Sequence, residues 1–308
     1  MTPELEQAYR AALAASLSAG YERLKNGGSS MEAVEAAIRV MEDSPLFNAG
    51  KGASYTIAGT VELDASIMEG KTLKAGAVGA VKYVKNPISL ARLVMEKSPH
   101  VLIAGEGATA FAQEQGVAWV SQDYFYTERK WNDLRERIRQ NTPYGGSAKK
   151  DIIKEESKPK PEDYETVGAV ALDKFGNLAA GTSTGGRMGK KPGRIGDSPI
   201  IGAGTYADNQ TCAVSTTGLG EHHIRLLTAK EISALIAHKG MPLREAANET
   251  VLQKLVAIGG SGGAIAMDRN GNVAMPFTGD GMYRGYILAD GKVVVKIYFC
   301  RQRIEKTN

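Results

Sequence analysis

The chain has 308 residues, of which 36 are glycine and 2 cysteine, and 38 Lys and Arg stand against 34 Asp and Glu for a net charge of +4. Glycine is well above its ordinary share of ~7%, yet no Gly-X-Y period makes the chain collagen-like, and 43% hydrophobic residues exclude a disordered-linker composition. Two cysteines, no apolar run of about 18 residues and a diffuse charge exclude a disulfide scaffold, a membrane span and an electrostatic nucleic-acid binder, and point to the cytoplasm.

Thr2-Pro3-Glu4 has the form of an N-cap, a proline at the first helical position and an acid in the first turn. It predicts a helix to about Lys25, stopped by Gly27-Gly28, and no secretory leader in this acidic start. Ser29 and Glu32 make a capping box. Val34, Ala37, Ile38 and Met41 then share one helical face, which predicts a second helix ending near Asp43. Leu46–Gly52 reads as a loop, Val61–Met68 and Gly76–Tyr83 as strands, Asn86–Lys97 as a helix, Val101–Ala104 as a short buried strand and Glu106–Gln115 as a helix. Residues 127–165 are dense in charge and poor in apolar side chains, which reads as a helix fading into a flexible, solvated linker.

Order returns at Thr166. Val167–Asp173, a Lys-Phe-Gly-Asn turn and Leu178–Thr184 read as a hairpin. The form recurs in Ala264–Asp268, Arg-Asn-Gly-Asn and Val273–Phe277. Between the two lie a Gly-rich stretch (181–204), a strand at 211–217 and helices at about 219–238 and 243–257, and a last strand covers Lys292–Phe299. Strands, then helices, then strands, with hairpins, predict stacked antiparallel sheets with helices outside them, an α+β chain. Residues 166–308 carry +6 and residues 1–165 carry −2, a charge split that favours their association weakly.

Several motifs fail on context. Gly259-Gly-Ser-Gly-Gly263 matches G-x-S-x-G, but a helix precedes it and a strand follows, the reverse of a nucleophile elbow. Gly202-Ala-Gly204 lacks the strand–turn–helix of a dinucleotide loop. The four histidines form no metal-ligand spacing, and no catalytic metal is expected. What is left is threonine in glycine-rich company, at Thr166-Val-Gly168, Thr182-Ser-Thr-Gly-Gly186 and Ser215-Thr-Thr-Gly-Leu-Gly220, together with Gly193-Arg-Ile-Gly-Asp197. A lone threonine is ordinary strand packing; this ordered set of blocks is not.

These blocks, with Ser44-Pro-Leu-Phe-Asn-Ala-Gly50, Leu63-Asp-Ala-Ser-Ile-Met68, Leu73-Lys-Ala-Gly-Ala-Val78 and Asn86–His100, resemble the plant-type asparaginase and isoaspartyl peptidase family of N-terminal-nucleophile hydrolases over nearly the whole chain. The resemblance implies a four-layer αββα sandwich and self-cleavage between Glu165 and Thr166. The products would be a first subunit, 1–165, and a second, 166–308, which pair as a dimer of αβ heterodimers. It implies Thr166 as nucleophile, Thr184 hydrogen-bonded to it, and Thr217 with Gly218 at the oxyanion hole, assisted by Asn48. Arg194 would bind the substrate α-carboxylate and Asp197 its α-ammonium, with Gly218 and Gly220 giving the substrate room. The implied substrates are L-asparagine and β-aspartyl dipeptides. No cofactor is implied beyond a structural sodium ion on backbone carbonyls of Met41, Glu42, Ser44, Phe47, Ala49 and Lys51. Two features depart from the family pattern. The sequence opens on a helix where members usually open on a strand and a His-Gly-Gly loop, and Glu165 stands where many members have glycine. The alternatives are a glycosylasparaginase-like amidase and an uncleaved, inactive relative that binds aspartate-like ligands.

Overall fold

The structure is a computed structural model and describes residues 1–139 and 165–298. The chain begins with two packed helices, α1 (Pro3–Lys25) and α2 (Ser30–Glu42). Thr2 caps the first by accepting from the Leu5 amide, and the Ser29–Glu32 capping box closes the start of the second. Strands β1 (Leu63–Glu69) and β2 (Ala75–Val81), helix α3 (Pro87–Lys97), strand β3 (Leu102–Ala104) and helix α4 (Gly105–Glu114) follow. Next come α5 (Glu128–Arg139), the hairpin β4 (Val167–Leu172) and β5 (Leu178–Thr184), then β6 (Thr205–Ala207), β7 (Cys212–Gly218), α6 (Gly220–Leu226) and α7 (Thr228–Lys239). The chain ends through α8 (Leu243–Asn248), a π turn, α9 (Leu255–Ala257), β8 (Gly262–Asp268), β9 (Val273–Ala274), β10 (Gly281–Ile287) and β11 (Val293–Tyr298).

The strands form three sheets, ordered β3-β2-β1-β5-β4, β6-β7-β8-β9 and β10-β11. Pairing is antiparallel except for β2 with β3. Helices α2 and α3 lie on one face of the five-stranded sheet, and α7 and α8 pack on the four-stranded one. The remaining faces of these two sheets meet each other through β4, β5 and β1 against β6, β7 and β8.

Alternation along the strands explains this layering. In β1, Ala65 and Ile67 join the core beneath the helices, whereas Asp64 and Ser66 point the other way. In β5, Ala179 joins that same core while Leu178 and Ala180 join the core of the second sheet. The contact between sheets near the site is not aliphatic. The hydroxyls of Ser66, Thr205, Thr182 and Ser215 run in a row with oxygen separations of 2.8, 2.6 and 2.7 Å. Ser66 and Thr182 also reach the carbonyls of Ser198 (2.6 Å) and Gly204 (3.0 Å). Gly168 faces Ser215 so closely that a Cβ there would overlap the serine hydroxyl.

On the helix side, Glu42 is fully buried and accepts from the Ile88 amide (3.0 Å) and the Ser183 hydroxyl (2.7 Å). Burial pushes its carboxyl up to about 8. The outer edge of β4 pairs with no strand among the described residues. One cavity of about 180 Å³ touches every residue of Thr166–Leu172 and of Tyr283–Ile287. Successive strand residues face opposite ways, so such a cavity runs along strand edges rather than over a face.

Several predicted elements need correction. Val101–Ala104 is not buried: Leu102 is exposed, because β3 is an edge strand. The predicted helix 219–238 breaks at Leu227, which takes a left-handed φ of 52°. The helix at 243–257 passes through a π turn at Glu249–Lys254. Strand β10 was not predicted. The helix expected to open segment 127–165 is α5, but it is not solvated throughout, since Leu134 is buried beside Phe125 and Tyr55; the expected linker at 140–164 lies outside the described residues. No helix among the described residues is long and apolar enough to cross a membrane.

Gly168→Ala is expected to cost about 1–3 kcal/mol by overpacking the sheet contact, read as a lowered urea midpoint. Adding Ser215→Gly should return part of the loss, and a double variant no better than the single one would refute this contact as the cause.

Candidate active site

Thr166 immediately precedes β4, the strand beside β5, whose last residue is Thr184. Antiparallel pairing thus brings the start of one strand to the end of the other. The two side-chain oxygens lie 3.2 Å apart, within hydrogen-bond reach. Thr184 also accepts from the Gly186 amide at 3.0 Å, which fixes its hydroxyl oxygen.

Asn48 is bound on every side. Its amide donates to the Glu165 carbonyl (3.0 Å), its own carbonyl accepts from the Gly185 amide (2.9 Å), its Nδ2 donates to the Gly186 carbonyl (2.6 Å), and its Oδ1 accepts from the Ser54 amide (2.7 Å). It ties the loop after α2 to the end of β5 and to the Glu165–Thr166 peptide. The loop also folds carbonyls inward. A Cβ on Gly50 would overlap the Glu42 carbonyl, and one on Gly52 that of Phe47. Carbonyl oxygens are the ligand type that a hard cation takes.

The turn carrying Arg194 and Asp197 hangs from β1. The Gly193 amide donates to Glu62 at 2.7 Å, the Gly196 amide lies 3.5 Å from Asp64, and Asp64 accepts from the Ala80 amide at 2.8 Å. Burial raises the Asp64 carboxyl above its ordinary value, and Lys190 opposes this. Arg194 does not pair with Asp197. It donates twice to Glu221, at 3.1 and 2.9 Å. Burial of Glu221 works against its ionisation, but Arg194, a backbone hydrogen bond and Arg187 together hold that carboxyl below its ordinary value. Asp197 instead accepts from the Thr216 hydroxyl at 2.9 Å.

Arg194, Asp197 and Gly220 nevertheless converge. A Cβ on Gly220 would stand 2.8 Å from Asp197 Oδ1 and 2.9 Å from Arg194 Nη2. Arg194 Nη1 also comes close to Gly186, whose amide binds Thr184. A guanidinium and a carboxylate thus flank one small space near the paired threonines.

Thr217 and Gly218 end β7. The Thr217 hydroxyl is buried and finds no partner among the described residues. Gly218 has φ 136° and lies against Ser261, Gly262 and the His223 ring, a place open only to glycine. His223 is fully buried behind this loop, and burial lowers its pKa, so it stands there as neutral imidazole.

The residues that sequence reading missed are Tyr9, Arg129, Lys130, Lys190 and Glu221. Lys190 is fully buried and donates to the Glu62 carbonyl at 2.8 Å. Glu165 is buried too, with its carboxylate held by Tyr9, Arg129 and Lys130. No group of three or more His, Cys, Asp or Glu among the described residues could hold a metal ion.

The description "Asparaginase" belongs to the family model that matches residues 1–297. Among curated proteins, an isoaspartyl peptidase of Salmonella typhimurium is 49% identical over 300 residues, covering 97% of this chain and 93% of that one. An isoaspartyl peptidase of Escherichia coli is 46% identical, with coverage of 97% and 91%. An isoaspartyl peptidase/L-asparaginase of Mus musculus is 41% identical, with coverage of 96% and 86%. The chain belongs to the asparaginase family.

Thr184→Val keeps the side-chain shape and orphans the Gly186 amide. It is expected to lower the unfolding free energy by about 1–3 kcal/mol in urea; an unchanged midpoint would mean that this amide is satisfied elsewhere.

Proposed function

We propose that this protein is an isoaspartyl peptidase with L-asparaginase activity, that Thr166 is its nucleophile, and that cleavage of the chain between Glu165 and Thr166 exposes it. The observation that carries this reading is the pairing of the Thr166 and Thr184 hydroxyls at 3.2 Å beside a peptide whose carbonyl is held by the Asn48 amide. The isoaspartyl peptidases and the isoaspartyl peptidase/L-asparaginase among the relatives favour it over a glycosylasparaginase-like or an inactive chain.

An unperturbed α-amine titrates near ~7.7–8.0, so once Thr166 is freed the minority of its amine that is neutral at pH 7, about a tenth to a sixth, can take the hydroxyl proton. One residue then supplies nucleophile and base, and no histidine is needed. The hydroxyl oxygen adds to the side-chain carbonyl of asparagine or of a β-aspartyl dipeptide. The amine leaves with a proton, and water hydrolyses the resulting ester to release aspartate. Thr184 orients the attacking oxygen. The unpartnered Thr217 hydroxyl and the Gly218 backbone are suited to the developing oxyanion, where a single donor is worth about 2.7–4 kcal/mol.

Arg194 offers the planar fork that a carboxylate prefers, and Asp197 the negative charge that an ammonium needs. Their common space at Gly220 fits the α-carbon end of aspartate, which excludes internal peptide bonds. Glu221 holds the guanidinium in place and yields part of it to substrate. Helices, two sheets and helices read as the αββα sandwich, and pairing of two cleaved chains as a dimer of αβ heterodimers belongs to the same reading. Backbone carbonyls of Met41, Glu42, Ser44, Phe47, Ala49 and Lys51 would hold a structural sodium ion, whose chemistry is to neutralise inward-pointing dipoles. No other cofactor enters.

On a denaturing gel the purified chain should give two fragments, the second starting at Thr166 by N-terminal sequencing, and Thr166→Ala should give one. An intact wild-type chain after long incubation, or a cut Thr166→Ala, would refute the nucleophile. Arg194→Ala should cut kcat/KM for asparagine and for β-aspartyl-leucine alike, by roughly tenfold or more, as loss of a charge-assisted pair does. An unaffected enzyme would remove Arg194 from carboxylate binding.

A further inference from the structure

Glu165 precedes the nucleophile, and its side chain has a binding site of its own. The residue is 5% exposed. Carboxylate Oε1 accepts from Arg129 at 2.7 Å and lies 3.2 Å from the Tyr9 hydroxyl, and Oε2 accepts from the buried Lys130 ammonium. Burial, and then the carboxylate beside it, raise the Tyr9 pKa above its ordinary value, so the phenol keeps its proton and donates.

The same groups grip the neighbouring loop. Arg129 donates to the Leu46 carbonyl at 2.7 Å, and the Tyr9 hydroxyl lies 2.9 Å from it. Two residues on, the Asn48 amide donates to the Glu165 carbonyl at 3.0 Å. The residue before the nucleophile is thus fixed at its carboxylate and at its carbonyl oxygen, while Thr184 fixes the Thr166 hydroxyl. None of this is needed to hold asparagine or a dipeptide, since Arg194 and Asp197 lie elsewhere.

We propose that Tyr9, Arg129 and Lys130 form a carboxylate clamp that positions the Glu165–Thr166 peptide for the chain's own cleavage, with the Asn48 amide as the donor to the scissile carbonyl. The inference rests on the self-cleavage reading above and deepens it. In the step it serves, Thr166 Oγ bonds to the Glu165 carbonyl carbon, and the negative charge on the carbonyl oxygen falls to the Asn48 amide. The C–N bond then breaks, the hydroxyl proton passes to the departing nitrogen, and an ester joins Glu165 to Thr166. Water hydrolyses that ester to a Glu165 α-carboxylate and a free Thr166. Tyr9, Arg129 and Lys130 are positioning residues: they touch the side chain of Glu165 and not the reacting atoms. A nucleophile and carbonyl held at contact gain orders of magnitude over a loose pair, and that advantage is sensitive to small displacements.

The test follows intact chain and fragments over time by denaturing gel and intact mass, for wild type, Glu165→Gln, Lys130→Gln, their double variant and Lys130→Arg. Each single neutral variant should be cut roughly tenfold more slowly or worse, as expected when a positioned group is released. The double variant should be no slower than the slower single one, because each change acts through the other residue. Lys130→Arg keeps the charge and should retain most of the rate, which a purely steric role would not predict. If Lys130→Gln does not fold, Glu165→Gln against Lys130→Arg still decides. Wild-type cleavage with neutral variants equally fast, or with losses that multiply in the double variant, overturns the clamp and leaves self-cleavage standing. A wild-type chain that stays intact overturns both.

Discussion

The row of hydroxyls between the two main sheets is the contact on which the arrangement depends. Aliphatic side chains at Ser66, Thr182, Thr205 and Ser215 would let the sheets slide, since dispersion is non-directional. Hydroxyls separated by 2.6–2.8 Å do not allow it, because a shift of one residue leaves buried donors and acceptors unmatched. Gly168 adds a steric stop against Ser215. Register is thereby set two residues from both Thr166 and Thr217.

From that register the site follows. Thr184 lies two residues beyond Thr182 on the same face of β5, and pairing with β4 brings Thr166 to it. Ser66 holds the Ser198 carbonyl, while Glu62 and Asp64, at the start of the same segment, hold the turn that carries Arg194 and Asp197. The Leu-Asp-Ala-Ser-Ile-Met block is therefore not simply a strand. Its Ala65 and Ile67 pack beneath the helices, and its polar residues suspend the charged part of the site. The buried Asp64 carboxyl accepts from the Ala80 amide, whereas among the described residues Glu42 is satisfied at one oxygen only, by the Ile88 amide and the Ser183 hydroxyl, and burial raises its pKa.

Legibility differed by the range of the interaction involved. Both capping helices and both hairpins were readable, since their signals are local. Asp173 and Asp268 each bind the amides two and four residues on, at Phe175 and Asn177 and at Asn270 and Asn272, and so build the same turn twice. Strand β10 was missed because Gly281-Met-Tyr-Arg-Gly-Tyr-Ile has no clean alternation and, among the described residues, pairs only with β11. The break at Leu227 was missed because a left-handed leucine gives no sign in sequence. Segment 127–165 read as solvated because charge usually is. Yet Lys130 and Glu165 bury one another across 35 positions, and no local pattern announces such a pair.

The sequence alone determined the local elements, the threonine and glycine blocks, the absence of a metal-ligand spacing and the resemblance to the family, because each is carried by neighbouring residues or by an ordered set of short motifs. Only the tertiary structure decided which hydroxyls meet, that Arg194 is held by Glu221 and not by Asp197, and that Glu165 sits among Tyr9, Arg129 and Lys130. Those outcomes depend on sheet register and on charges brought together from distant positions. The energy of burying a charge beside a partner exists only once the chain has folded around both.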